Sequence, residues 1–211
     1  MHLPRAITPQ DLQIRVNTGA STASARVLTA GVPKEMAVEQ LRVENGVVQP
    51  DESRDILSMA VLERHKNTGS IGRAFLRGTG IRGGAVTASV SHDAHNIYVI
   101  GTSFEDMALA VNTVAETKGG FAAVMDGKLA ANIELPIGGL ISEEPLETVA
   151  EKFRYLEQEI LKKGLGCTLQ GFPLFTLSVI SLPNIPNWGI TDKGLIEVAT
   201  MRHVDPICDE G

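Results

Sequence analysis

Short apolar runs recur along this chain, and most of them have the length or the alternation of β-strands. Asn45-Gly46 and Asp126-Gly127 add the composition of two-residue hairpin turns. The run 57–63 fits either a strand or a helix. The other runs that predict strands are 12–16, 25–28, 36–43, 71–76, 85–90, 97–100, 121–125, 129–135, 172–182 and 195–198.

Two stretches instead repeat apolar residues at helical spacing. The first helix is predicted to end near Thr117, and Thr102 with Glu105 has the form of a capping box at its start. The second is predicted over 145–163, where Pro145 suits a first helical position. Its apolar stripe consists of Leu146, Val149, Ala150, Phe153, Leu156 and Ile160.

The predicted strands outnumber the helices, and most connections between strands are too short for crossovers. The sequence therefore predicts an α+β fold, with a mixed, largely antiparallel sheet and two main helices packed on one side. One parallel crossover is expected, from 97–100 through the first helix to 121–125. The polar stretch 50–55 divides a short β-rich N-terminal segment, 1–50, from an α+β domain, 51–211, and we expect the two to form one compact unit.

The net charge, the apolar runs and the cysteines limit the classes of function that the chain can have. The chain has a net charge of −6, whereas a nucleic-acid binder normally carries a basic patch. No apolar run approaches the roughly 18 residues that cross a bilayer, and the first residues lack the apolar core of a signal peptide. Cys167 and Cys208 form no C-x-x-C pair. A disulfide between them stays open, but a reduced, cytoplasmic setting is the simpler interpretation.

Polar side chains crowd the stretch from Ser89 to Asn96, which joins the apolar runs 85–90 and 97–100. They are Ser89, Ser91, His92, Asp93, His95 and Asn96. Polar groups beside buried strands need partners, and such density is typical of functional sites. One hypothesis is general acid–base catalysis by a histidine that Asp93 orients. The alternative is a polar strand end whose side chains bond the backbone.

Metal binding is a further hypothesis for the same residues. His92-x-x-His95 with Asp93 supplies ligand types that suit zinc, iron or manganese. A protein-only site needs three or four converging ligands, and no second His or Cys set completes one. No metal site is therefore predicted for this chain alone.

Two neighbouring stretches are less specific. The glycine-rich stretch 78–84 superficially matches a dinucleotide-binding fingerprint, but no helical pattern follows it, which favours a tight turn. The charged loop 63–69, which contains Glu63 and His65, is either a solvated turn or a segment that approaches the His92 site.

Six sequence blocks, within a stretch from about Ile7 to the end of the chain, carry a resemblance to a known family. They are Ala60–His65, Thr68–Gly72, Ser89–Asn96, Asp106–Asn112, Leu135–Leu140 and Thr176–Pro183. In order and spacing, these blocks resemble the C-terminal domain of adenine deaminase. Arg73-Ala74 and Ser91 depart from the family pattern, but they leave its Ser-x-x-His-Asp-x-His-Asn motif intact.

The resemblance implies a function for a whole enzyme. Adenine deaminases are amidohydrolases that convert adenine to hypoxanthine and ammonia, with a metal pair in an N-terminal barrel that begins at an H-x-H strand. This sequence has no H-x-H motif and begins about where the barrel ends. The resemblance thus implies a domain that helps to close or line the active site and binds no cofactor alone, with Mn or Fe in the complete enzyme.

The resemblance also implies roles and partners. The expected catalytic residues are His92, Asp93 and His95, and the expected substrate contacts are Ser89, Ser91, Asn96, Glu63 and His65. The expected partners are adenine, an amidohydrolase barrel domain or subunit, and further copies of the chain in a homo-oligomer. Neither nucleic acid nor a membrane is expected. Two alternatives stay open: a stand-alone ligand-binding or assembly module without activity, and an excised piece of a longer enzyme.

Overall fold

The computed structural model describes residues 3–17, 19–31 and 33–208. The strands of its large sheet are β1 (Thr22–Thr29), β2 (Met36–Glu44), β3 (Val47–Val48), β4 (Ile56–Leu62), β5 (Ile71–Arg77), β6 (Gly84–Ala88), β7 (Ile97–Gly101), β8 (Gly120–Met125) and β9 (Lys128–Glu134). A small second sheet contains β10 (Trp188–Thr191), β11 (Gly194–Glu197) and β12 (Arg202–Val204). The helices are α1 (Pro9–Leu12), α2 (Phe104–Glu116), α3 (Leu146–Tyr155), which continues as a π-helical segment (Leu156–Gly164), and α4 (Pro173–Ser178); Glu52–Arg54 forms a 3₁₀ turn.

The large sheet has the strand order β3-β2-β1-β5-β4-β7-β6-β8-β9. Of its pairings within the described residues, only that of β1 with β5 is parallel. The predicted α+β class and the mixed, largely antiparallel sheet are therefore confirmed. Strands β1 to β3, from the predicted N-terminal segment, lie in the same sheet as the strands that follow.

The central strands are buried on both faces, which explains their continuous apolar runs. In β4, Leu57, Met59 and Val61 face one layer, while Ala60 and Leu62 face the other, because successive side chains alternate. The run 57–63 is thus a strand rather than a helix.

Helix α2 begins one residue later than the capping box predicts. The Ser103 hydroxyl, not that of Thr102, accepts a hydrogen bond from the backbone N–H of Asp106. The helix buries Met107 and Val111 against one face of the sheet. Fully burying such a side chain stabilises the fold by about 1.5–3 kcal/mol.

The second predicted helix packs on the opposite face, so the expectation of two helices on one side was wrong. Leu156, Ile160 and Leu161 of the π-helical segment join the same apolar cluster as Leu57 and Met59 of β4. The sheet is hydrophobic on both faces and needs a cover on each, a requirement that helical periodicity alone does not reveal.

Two predicted strands are helical or irregular instead. The run 12–16 follows helix α1, where Pro9 occupies the first turn and the Asp11 carboxylate accepts from the Thr8 N–H at 2.8 Å. The run 172–182 contains α4, because Pro173 begins a helix and Leu174 and Leu177 are buried at helical spacing.

The turns largely follow their composition. Asn45 and Gly46 both have positive φ between β2 and β3, as a two-residue hairpin requires.

The predicted crossover does connect parallel strands, β7 and β8, but β6 lies between them in the sheet. The glycine-rich stretch is an irregular loop rather than a tight turn, with positive φ at Gly78, Gly80 and Gly83, and it leads into β6. None of the described helices has both the length and the apolarity to cross a membrane.

Candidate functional site

The predicted residues Ser89 to Asn96 form the connection from β6 to β7, called here the His92 loop. Its first residue, Ser89, is completely buried. The Ser89 hydroxyl donates to the Gly139 carbonyl at 2.6 Å and accepts from the Gly120 N–H at 2.8 Å. Ser89 therefore anchors the loop.

A second anchor joins the His92 loop to the turn after α4. The hydroxyls of Ser91 and Ser181 lie 2.6 Å apart, and both residues are buried. The Ser181 hydroxyl also lies 3.2 Å from the carbonyl oxygen of His92. The serine pair thus fixes the backbone from which the His92 ring extends.

The loop 63–69 forms a third anchor, which confirms that it approaches the His92 site. The buried Arg64 guanidinium donates to the carbonyls of His95 and, at 3.0 Å, Gly138. The Nε2 atom of His65 lies 2.7 Å from the Ala94 carbonyl oxygen. These contacts hold the outer end of the His92 loop against its neighbours.

Glu63 organises this third anchor from within. Its carboxylate accepts hydrogen bonds from the N–H groups of His65, Lys66 and Thr68 and from the Thr68 hydroxyl. Burial by itself raises the pKa of the Glu63 carboxyl, but the four hydrogen bonds outweigh it and lower the pKa to about 2. Its carboxylate is engaged by its own loop, and its substrate contact stays a prediction.

We expect Glu63→Gln to lower the free energy of unfolding by about 1–2 kcal/mol at neutral pH, because the amide cannot replace all the charge-assisted hydrogen bonds. The folded-state pKa is depressed, so the stabilisation is present above the ordinary glutamate pKa near 4.5 and is lost as the pH falls toward 2. Urea unfolding of the two proteins at pH 7 and near pH 3 measures this difference, which should shrink in acid. Glu134→Gln, at an exposed position in β9, is the matched control and should change little at either pH.

A pocket of about 290 Å³ opens beside the His92 loop. It is called here the polar pocket after the polar side chains in its lining, although most of its surface is apolar. From the loop it is lined by Ser91, His92, Asp93, Ala94 and Asn96. From the opposite side it is lined by Ser181, Pro183, Asn184, Ile190, Thr191 and Asp192, with Val61 between. It thus brings together four of the predicted site residues, whereas Ser89, Glu63, His65 and His95 support it without lining it.

Asn96 connects the two sides of the polar pocket. Its Nδ2 atom donates to the Asp192 carboxylate at 3.1 Å, across nearly a hundred residues of sequence. Its buried Oδ1 atom has no hydrogen-bond partner among the described residues. An unpartnered buried oxygen is costly, and this one lies in a pocket wall.

An apolar groove of about 330 Å³ lies on the other side of His92. Its lining includes Phe121, Leu140, Phe153, Leu174 and Phe175. The His92 ring borders both cavities and packs against the Phe175 ring edge at 5.9 Å between centroids.

His92 and His95 have different environments. Their ring centroids lie 5.5 Å apart, and Nδ1 of His95 accepts from the Ser91 N–H at 3.4 Å. Burial, followed by the nearby His92 and Arg64, lowers the pKa of His95, which favours its neutral form. His92 is half-buried and Asp93 is exposed, so both can meet a molecule in the polar pocket.

On its own, the site does not supply the three or four ligands of a protein metal site. Within the described residues, no three His, Cys, Asp or Glu side chains converge as ligands would. What the arrangement offers chemically is an imidazole and a carboxylate beside a small pocket, which are groups that exchange protons.

The sequence did not identify the opposite wall of the polar pocket. Asp192 occurs in an ordinary Asp-Lys-Gly turn, and Ser181 in an apolar run read as a strand. Arg64, which holds the His95 carbonyl, stood in a charged run and in one of the resemblance blocks, but neither gave it a role in the site. These residues become site components through tertiary contacts, for which a single sequence carries no local signal.

The fold and site define an α+β domain that carries a histidine loop beside a polar pocket, and comparisons with known proteins identify its family. The family model described as the adenine deaminase C-terminal domain matches residues 32–202. Adenine deaminase 1 of Carboxydothermus hydrogenoformans is 43% identical over 213 residues, with 96% of this chain and 34% of that protein covered. An adenine deaminase of Clostridium botulinum is 39% identical over 214 residues (100% and 35% covered), and one of Brucella melitensis is 41% identical over 198 residues (94% and 33%).

The chain therefore belongs to the adenine deaminase C-terminal domain family. It spans about a third of the length of the curated relatives it matches.

Proposed function

We propose that this chain lines or closes the active site of a complete adenine deaminase, which hydrolyses adenine to hypoxanthine and ammonia. The observation that carries the proposal is the polar pocket, where His92, Asp93 and Asn96 face Asp192. Its volume of about 290 Å³ is near the lower end for ligand pockets and suits a single flat base rather than a nucleotide. The names of the relatives support adenine as that base.

The reaction requires groups of the kind that line the polar pocket. Water oxygen bonds to C6 of the purine, the C6–N bond breaks, and the leaving amino group takes a proton to become ammonia. His92 and Asp93 are the residues placed to hold or deliver that proton. Asn96 holds the Asp192 carboxylate in the wall, where it can accept from the N–H groups of a purine edge.

The role proposed for this chain does not include binding a metal ion. The proposal places the ligands of any Mn or Fe of the complete enzyme in the barrel, since the described residues of this chain include no converging group of three His, Cys, Asp or Glu side chains. The chain's own contribution is to position the purine, to shield it from bulk water, and to hold or deliver protons through His92 and Asp93.

The apolar groove provides the docking surface for the rest of that enzyme. Exposed apolar side chains surround it, among them Leu140, Ile141, Phe172 and Phe175. Leu140 and Phe175 line the groove itself, and exposed apolar surface at a groove usually marks an interface. The relatives are about three times as long as this chain, and His92 borders both the groove and the pocket. An amidohydrolase barrel seated on the groove would therefore reach the His92 loop.

The same groove also favours the second candidate function, a stand-alone module that assembles with further copies of itself. A homo-oligomer would cover the exposed Phe172 and Phe175 without any barrel. Light scattering of the purified chain, with and without a barrel domain, distinguishes the two forms of assembly.

A deamination assay tests the proposal. The purified chain, supplied with adenine and added Mn²⁺ or Fe²⁺, should release no ammonia, and a separately expressed amidohydrolase barrel should give an activity that increases when the chain is added. Robust turnover by the chain alone would contradict the accessory role. An unchanged activity of the barrel in the presence of the chain would favour the stand-alone module.

A further inference from the structure

A buried lysine lies behind the wall of the polar pocket. Lys34, in the connection from β1 to β2, is 1% exposed. No carboxylate of the described residues forms an ion pair with its ammonium group. Burial lowers its pKa to about 8. An unpaired buried charge is costly to maintain, so its contacts must offset the cost.

Its contacts lie on one short turn. The Lys34 Nζ atom donates to the Ile180 carbonyl at 3.2 Å and to the Leu182 carbonyl at 2.5 Å. These carbonyls flank Ser181, and they receive no backbone N–H within the described residues. The ammonium group is thus the clamp that satisfies both carbonyls.

The turn 180–182, clamped by Lys34, also holds the His92 loop. Ser181 pairs with the Ser91 hydroxyl at 2.6 Å and reaches the His92 carbonyl oxygen at 3.2 Å. Ser181 and Pro183 also line the polar pocket directly. A connected series of contacts therefore runs from Lys34 through residues 180–182 to the backbone of His92.

We infer that Lys34 is a positioning residue for the proposed active site, which sets the place of His92 by clamping the turn 180–182. The expected effect of Lys34 on catalysis rests on the proposed function. Its effect on the position of His92 does not. Lys34 touches neither the pocket nor His92, so its effect must pass through Ser181.

Lys34→Met tests the inference because methionine has a similar length and no donor. In the whole chain, NMR should show a shift of the His92 ring signals, while those of His203, on β12, stay unchanged. Ser181→Ala breaks the final contact without disturbing the buried charge, and it should shift the same signals even if Lys34→Met folds poorly. Lys34→Arg keeps a cationic donor and should restore part of the wild-type spectrum.

In a complete enzyme, Lys34→Met should lower kcat/KM about tenfold, mostly through kcat, because a displaced catalytic group slows the chemical step more than binding. Unchanged His92 signals in a folded Lys34→Met variant would overturn the positioning role of Lys34, and unchanged signals in Ser181→Ala would break the route by which it acts. If those signals shift while a complete enzyme is indifferent to His92→Ala, the proposed function fails and the structural inference stands.

Discussion

Replacing Gly72 by alanine is expected to lower the free energy of unfolding by about 3 kcal/mol, the upper part of the range for overpacking. A Cβ atom at this position of β5 would lie 1.9 Å from the Thr191 carbonyl oxygen and 2.7 Å from the Gly194 nitrogen. Both are backbone atoms of the small sheet, so no side-chain rotation relieves the clash. The alanine must push β10 and β11 away from β5.

Denaturant unfolding at constant pH measures this effect, and the melting temperature should fall by roughly 6–12 °C for a protein of this size. Gly19→Ala is the matched control, since a Cβ there meets no atom within 4 Å and its φ lies outside the left-handed region that favours glycine. A variant at Gly72 as stable as the one at Gly19 would contradict the close packing of the two sheets.

His92→Ala is expected to lower kcat/KM for adenine about 100-fold in a complete enzyme that carries this chain, the lower part of the range for a lost general acid or base. The reason is its position, since the ring borders the polar pocket beside Asp93 and Asn96. Most of the loss should appear in kcat if the imidazole ring transfers a proton, and in KM if the ring only contacts the purine.

His203→Ala provides the control for this activity measurement. His203 is exposed on β12, and its ring contact is to the Leu195 carbonyl, at 3.3 Å. Both variants should unfold at nearly the wild-type denaturant concentration. Equal activity of the two variants would remove His92 from the proposed mechanism.

The strands of the large sheet were predictable because their signals are local. Runs such as 71–76 and 97–100 coincide closely with β5 and β7, and Asn45-Gly46 forms the expected hairpin turn. The stretch 172–182 shows the limit. This stretch is apolar enough for a buried strand. Pro173 nevertheless begins a helix, and Leu174 and Leu177 are buried at helical spacing in the same apolar cluster. Tertiary packing overrides propensity in such short apolar segments.

One side of the candidate site was also predictable. The density of polar groups from Ser89 to Asn96 marks the His92 loop in the sequence, and four of its polar residues line the polar pocket. The other side was not predictable, because Asp192 meets Asn96 only after the small sheet packs on β5. The buried Lys34 likewise looks like any surface lysine until the turn 180–182 closes over it.

A structure of the complete enzyme with bound hypoxanthine would test the central claim most directly. The quantity to measure is the shortest distance from the purine ring to the side chains of His92, Asp93, Asn96 and Asp192. We predict that at least one of these side chains lies within about 4 Å of the ring, the limit of direct contact. A purine bound with all four side chains well beyond contact distance, and with the polar pocket filled by solvent, would contradict the claim that this domain lines the active site.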